Sequence, residues 1–208
     1  MAKLKGKARA KARKQQRLNT YKKHEGYKKK ILDMVLKWDN PILYEVCAEV
    51  GKEEDIQELM QNMGRVLHFS KNGVGLAAPQ IGVTKKVILV LLDREKPTFF
   101  INPEIKIHDG NIIKSRESCL SYPGIEAVID RNDKITIDYE DEKRVHHVKD
   151  FTGFNAIVLQ HEIDHTNGVC GVGEEWKRLN TPAPENNDEV EEEVYEEDVE
   201  VESNSSEK

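Results

Sequence analysis

The sequence predicts an α+β fold in which antiparallel strands pack around a central C-terminal helix that carries an HEIDH motif. Three observations carry this expectation. In "EEDIQELMQNMGRVLHF", Ile56, Leu59, Met60, Met63 and Leu67 recur at helical spacing, with acids in the first turn where the macrodipole favours them. Between residues 85 and 150 the pattern changes to short apolar and alternating runs. From about Thr152 to His165 it returns to helical spacing, with Phe154, Ile157, Val158, His161 and His165 on one broad face and Asn167-Gly168 as the stop.

Taken in chain order, residues 1–30 form a basic arm with no apolar periodicity, expected to be disordered. "ILDMVLKWDNPILYEVCAEV" brings the first apolar residues, so the folded domain is expected over 31–180. After the amphipathic helix, "KKVILVLLD" and "PTFFINPEIKIHD" read as strands. "DKITIDYEDEKRVHHV" sets Ile135, Ile137 and Tyr139 on one face before a return strand, which makes a meander. From 181 to 208 two prolines lead into an acidic run, expected to be a disordered tail because it cannot bury enough apolar surface to offset ordering entropy.

The charge is segregated. Residues 1–30 hold 13 Lys/Arg against the single Glu25, whereas residues 185–208 hold 12 acids against Lys208. No apolar run is long enough for a secretory signal or a membrane span, and the Lys-dominated, Ser-poor start argues against a transit peptide, so a cytoplasmic protein with no membrane partner is expected. Three cysteines, Cys47, Cys119 and Cys170, are an odd number in such a chain and speak against a disulfide framework.

The chemistry is concentrated in "QHEIDHTNG". His161 and His165, four apart on a helix, stack one turn apart and can reach a single metal ion, with Glu162 beside them. A solvated charged face is the competing reading of that motif alone. The metzincin continuation is excluded because Gly171 stands where its third histidine belongs, and a downstream glutamate ligand is disfavoured because the acids in reach, such as Glu185, lie in the acidic tail. The remaining soft donor in an unusual context is Cys119 in "ESCLSYPG", between two strand segments and bounded by a Pro123-Gly124 turn signal.

"GVGLAAPQ" at 73–80, "ESCLS" at 117–121 and "QHEIDH" at 160–165 together resemble the three signature motifs of the peptide deformylases, in the family's order and over about residues 31–170. The resemblance implies a metal-dependent amide hydrolase that removes the N-terminal formyl group from formyl-methionyl nascent peptides and releases formate. It implies Cys119, His161 and His165 as ligands of one divalent ion, Fe²⁺ by family likeness, with Zn²⁺, Ni²⁺ or Co²⁺ able to substitute. Glu162 is implied as general base and then general acid. Gln80 and the backbone N–H of Leu120 are implied as donors to the oxyanion. Gly75 is implied as a peptide-backbone contact, and Val74, Phe154, Ile157 and Val158 as the walls of a methionine pocket.

Beside these roles stand plainer ones. Phe154, Ile157 and Val158 are core residues first, and Cys47 and Cys170 read as structural. Asp164 reads equally as support for the site or as surface charge. Ser118 stands where the family commonly has glycine, Thr166 where it has leucine, and the short C-terminal end resembles phage-encoded members. The basic arm is a candidate for ribosome or RNA contact, set against a solvated tail. Two other functions remain open on sequence: a metalloprotease, and a non-catalytic nascent-chain binder of the same fold.

Overall fold

The computed structural model describes residues 2–180. Helix α1 spans Ala2–Leu32, α2 Gln57–Phe69, α3 Gly153–Thr166 and α4 Gly171–Asn180. Strands β1 (Gly75–Ala77), β2 (Val87–Leu92), β3 (Lys96–Cys119), β4 (Tyr122–Glu140) and β5 (His146–Thr152) form one antiparallel sheet in sequential order, with β1 at its edge. The expected α+β meander is therefore the observed one.

Strand β2 is the axis of the core. "VILV" at 87–90 is buried throughout, because one face of the sheet meets α2 and the other meets α3. On the α2 side Val87, Leu89, Leu76 and Ile101 pack with Met63, Val66 and Leu67. On the α3 side Ile88, Val90, Phe100, Ile135 and Ile137 pack with Ala156, Leu159 and Ile163. The period-2 alternation of the strands thus sorts side chains into two apolar layers. A third, smaller cluster of Cys119, Tyr122, Ala127, Cys170 and Val172 sits where the β3–β4 hairpin meets α4.

Two expectations are corrected. The segment expected to be a disordered arm is a helix, α1. Its Lys, Arg, Ala and Gln are strong helix formers, and its C-terminal end is anchored by buried Ile31 and by His24 and Tyr27 set edge-on to Phe69. Pro123-Gly124 is not the turn after Cys119. The hairpin reverses at Leu120–Ser121, with Cys119 opposite Tyr122, while Gly124 (φ +80°) lies in β4 beside a register shift. Two elements also escaped the sequence reading: β1, made from the "GVGLA" stretch, and α4. The expected acidic tail, 181–208, lies outside the described residues.

Truncating the two-sided core should be costly. Ile137→Ala is expected to lower unfolding free energy by about 2–5 kcal/mol, whereas Val128→Ala, on the exposed face of the same strand, should stay within about 0.5 kcal/mol. Urea denaturation of both variants checks the assignment of faces.

Candidate active site

Three segments meet on the floor of one cavity of about 480 Å³. Helix α3 brings His161, Glu162 and His165; the end of β3 brings Glu117 and Cys119; the short 3₁₀ turn Ala78–Ile81 after β1 brings Gln80. Of the residues that sequence singled out, Val74, Gly75, Gln80, Cys119, Leu120, Phe154, Ile157, Val158, His161 and Glu162 all line this cavity. His165 lies behind the floor, with Nε2 3.3 Å from Cys119 Sγ. The His161 and His165 rings stand 5.1 Å apart, one helical turn from each other.

Gln80 is locked in place. Its Oε1 accepts the backbone N–H of Ala77 at 2.9 Å, and its Nε2 donates to Cys119 Sγ at 3.4 Å and to Ser121 Oγ at 3.2 Å. Glu162 is enclosed beneath β1, so close to the main chain that a Cβ on Gly75 would collide with Glu162 Oε1. Burial pushes the Glu162 carboxyl up to about 7. Glu162 Oε2 and His165 Nδ1 are buried polar atoms with no hydrogen-bond partner among the described residues. Burial drives His165 well below the usual histidine range.

His161 is held from behind. Its Nδ1 meets Glu117 Oε2 at 2.8 Å, which leaves Nε2 as the free edge of the ring. Glu117 also accepts a two-pronged contact from Arg131, Nε to Oε1 at 2.9 Å and Nη2 to Oε2 at 3.0 Å, and Arg131 Nη1 reaches Asp164 Oδ2 at 2.5 Å. Burial raises the Glu117 carboxyl, but the hydrogen bonds from His161 and Arg131 outweigh it and hold the group at about 2. Burial lowers His161, and the same hydrogen bond more than reverses it, leaving His161 raised.

Sequence reading missed Glu117 and Arg131. The signals existed: Glu117 precedes Cys119 by two and so shares its strand face, and Arg131 occupies the inward alternation of β4 after Ala127 and Ile129. Asp164, left undecided, supports the site through Arg131. Cys47 is buried beside the carbonyl of Glu45, away from the cavity. Cys170, expected to be structural, is buried beside two of the expected ligands: Cys119, His165 and Cys170 place their ligand atoms within 4.8 Å of one another. The proximity of the two thiols lowers Cys170 and raises Cys119, whose burial raises it further. Ser118 points the other way along the strand, into the cavity wall and exposed.

Removing Glu117 should do more than loosen one histidine. Glu117→Ala leaves the Arg131 guanidinium buried with half its partners, and the expected loss is about 3–5 kcal/mol of stability, as for a broken buried ion pair. Chemical denaturation of wild type and variant measures it.

A sequence profile of the polypeptide deformylase family matches residues 32–174. The chain is 36% identical over 152 residues to a peptide deformylase of Leptospira biflexa, covering 66% of this chain and 84% of the relative. It is 40% identical over 137 residues to one of Dictyoglomus turgidum, covering 65% and 87%. Among solved structures, the PDF of Vibrio parahaemolyticus bacteriophage VP16T in complex with actinonin superposes with a TM-score of 0.62 at 36% identity, over 65% of this chain and 98% of that one. A peptide deformylase from Synechococcus elongatus, also in complex with actinonin, gives 0.63 at 28% identity, over 69% and 84%. With residues of all three motifs assembled around one cavity and the family match covering residues 32–174, the chain belongs to the polypeptide deformylase family.

Proposed function

We propose that the chain is a metal-dependent amide hydrolase that removes the formyl group from N-formylmethionyl nascent peptides and releases formate. The observation that carries this reading is the convergence of Glu162, Gln80, Cys119 and His161 on one cavity floor beneath apolar walls. A binding module needs neither a buried carboxylate nor a fixed amide donor there, and a protease of internal peptide bonds lacks support from the family match.

Two of the three expected donors, Cys119 and His165, stand as one divalent ion would hold them, whereas His161 is outside the described group of ligand atoms that lie within 4.8 Å of one another. A tetrahedral ion sets sulfur and nitrogen ligands about 3.5 Å apart, close to the 3.3 Å between Cys119 Sγ and His165 Nε2. Cys119, His161 and His165 would hold the ion, Fe²⁺ by family likeness, with Zn²⁺, Ni²⁺ or Co²⁺ as substitutes suited to the same donors. Bound there, the ion supplies Lewis acidity, lowering the pKa of a water and polarising the formyl oxygen.

The remaining work belongs to the chain. Glu162 takes a proton on the carboxylate that lacks an internal partner, from the attacking water, and returns it to the leaving amine; its elevated carboxyl suits both directions near neutral pH. The Gln80 amide donates to the developing oxyanion by exchanging its Ser121 contact, and the Leu120 N–H is the second donor. Gly75 lets the peptide main chain approach the edge strand β1, where any Cβ would meet Glu162. Val74, Phe154, Ile157 and Val158 give the methionine side chain an apolar wall. Arg94 lies over the Phe154 ring at 4.1 Å and holds it in place at the cavity.

Nascent-peptide substrates support a cytoplasmic protein as part of this reading. No described helix is long and apolar enough to cross a membrane. Helix α1, in which Glu25 is the one acid, is the surface that would meet ribosomal RNA, with affinity falling steeply as salt rises.

The test is formate release from formyl-Met-Ala-Ser by full-length protein loaded with Fe²⁺ without oxygen. Wild type should release formate, and Glu162→Ala at equal metal content should release none. Gln80→Ala should be slower by roughly 10²- to 10³-fold, the usual cost of one oxyanion donor. A chelator should abolish turnover and added Fe²⁺ restore it. A folded, metal-filled wild type that leaves the peptide formylated would overturn the reading.

A further inference from the structure

Cys170 has no part in the chemistry above, yet the fold delivers it to the same donors. After α3 the chain turns at Gly168 (φ +75°), where a Cβ would press within 2.6 Å of the Tyr44 carbonyl oxygen. That turn, pinned by the Val169 N–H donating to the Asp164 carbonyl at 2.9 Å, returns Cys170 underneath His165 just before α4 begins. There Cys170 is 3% exposed and packed with Cys119, Tyr122, Ala127 and Val172. Its sulfur, Cys119 Sγ and a His165 ring nitrogen all lie within 4.8 Å of one another. A tetrahedral ion needs donor separations of about 3.3–3.8 Å, so roughly an ångström of closure suffices.

We propose that Cys170 is a second thiolate ligand of the metal centre, binding a soft divalent ion such as Zn²⁺ together with Cys119 and His165. The inference rests on the metal-dependent reading of the site. Cys119 and His161 line the cavity, whereas Cys170 and His165 do not. Cys170 therefore approaches from the core side, and with Cys119, His161 and His165 as the other protein donors a water on the cavity side would be a fifth ligand, the coordination number that catalytic zinc reaches in its transition state. A second thiolate softens the donor set, which tilts selection from Fe²⁺ toward Zn²⁺. Cys119 alone would give the site one sulfur; the pair gives it two.

Sulfur counting decides the matter. X-ray absorption on full-length protein loaded anaerobically with one equivalent of Zn²⁺ should fit two sulfur scatterers at about 2.3 Å, and the same measurement on Cys170→Ala or Cys170→Ser should fit one. Zinc competition against a chromophoric chelator should show the variants weaker by at least roughly 10-fold, the lower bound for loss of even an outer partner. One sulfur in wild type, unchanged in the variants, overturns the proposal and makes Cys170 a buried thiol packed against Cys119; the wild-type count stands even if neither variant folds. Formate release measured in parallel separates the two readings. One sulfur with turnover sinks only the ligand assignment, whereas two sulfurs without turnover sink the deformylase chemistry and leave Cys170 a ligand.

Discussion

The buried carboxylate of Glu117 is the constraint on which the rest of the site depends. It ties together three elements at the site: β3, which carries it two residues before Cys119; β4, which supplies Arg131; and α3, whose His161 it orients and whose Asp164 completes the Arg131 contact. Desolvating such charges costs several kcal/mol per ion. Two parallel contacts to Arg131, one to His161 and a further one from Arg131 to Asp164 offset that cost only when all partners are in place. The network thus contributes little net stability and a great deal of geometry. A strand slip in the hairpin would move Glu117 and Cys119 together to the wrong face, and the network penalises that slip with uncompensated charge.

The same arrangement separates two carboxylates that sequence alone would treat alike. Glu117 and Glu162 are both buried, yet one is held at about 2 by its cationic partners and the other is pushed up to about 7 by desolvation with one oxygen unpartnered. A group held at about 2 is a permanent anion, fit to orient a histidine. A group near 7 exchanges its proton readily, fit for acid and base work in one cycle. Environment, not residue type, assigns the two roles.

The fold was legible because its signals are periodic. Apolar spacing located α2 and α3, a continuous apolar run located β2 and alternation located β4, since each of these elements buries apolar side chains in the core. The cavity wall was legible for the same reason: Phe154, Ile157, Val158 and His161 follow from one helical face. What was hidden depends on turns and on long-range pairing. Cys170 looked structural because its approach to Cys119 is set by the backbone at Gly168, not by any spacing from His165 that a metal motif would use. Arg131 goes unmarked in the sequence because its inward direction follows from its place in β4 and its pairing with Glu117. Helix α1 was misread because a test for core-forming capacity asks about burial, whereas an isolated basic helix depends on backbone propensity and one anchored end.

Glycine at position 75 shows how tightly these levels are coupled. The "GVGLAAPQ" stretch forms an edge strand only three residues long, Gly75–Ala77, which then breaks into the 3₁₀ turn that presents Gln80. Because β1 lies directly over Glu162, the absence of a side chain at 75 is what allows the strand to close over the carboxylate and exclude water from it. That exclusion raises Glu162 toward neutrality, and the same bare backbone is what an incoming peptide would lie along. A larger residue there would reopen the site to solvent, return Glu162 to an ordinary acid and obstruct the substrate, so a single missing Cβ connects the edge of the sheet to the proton chemistry at its centre.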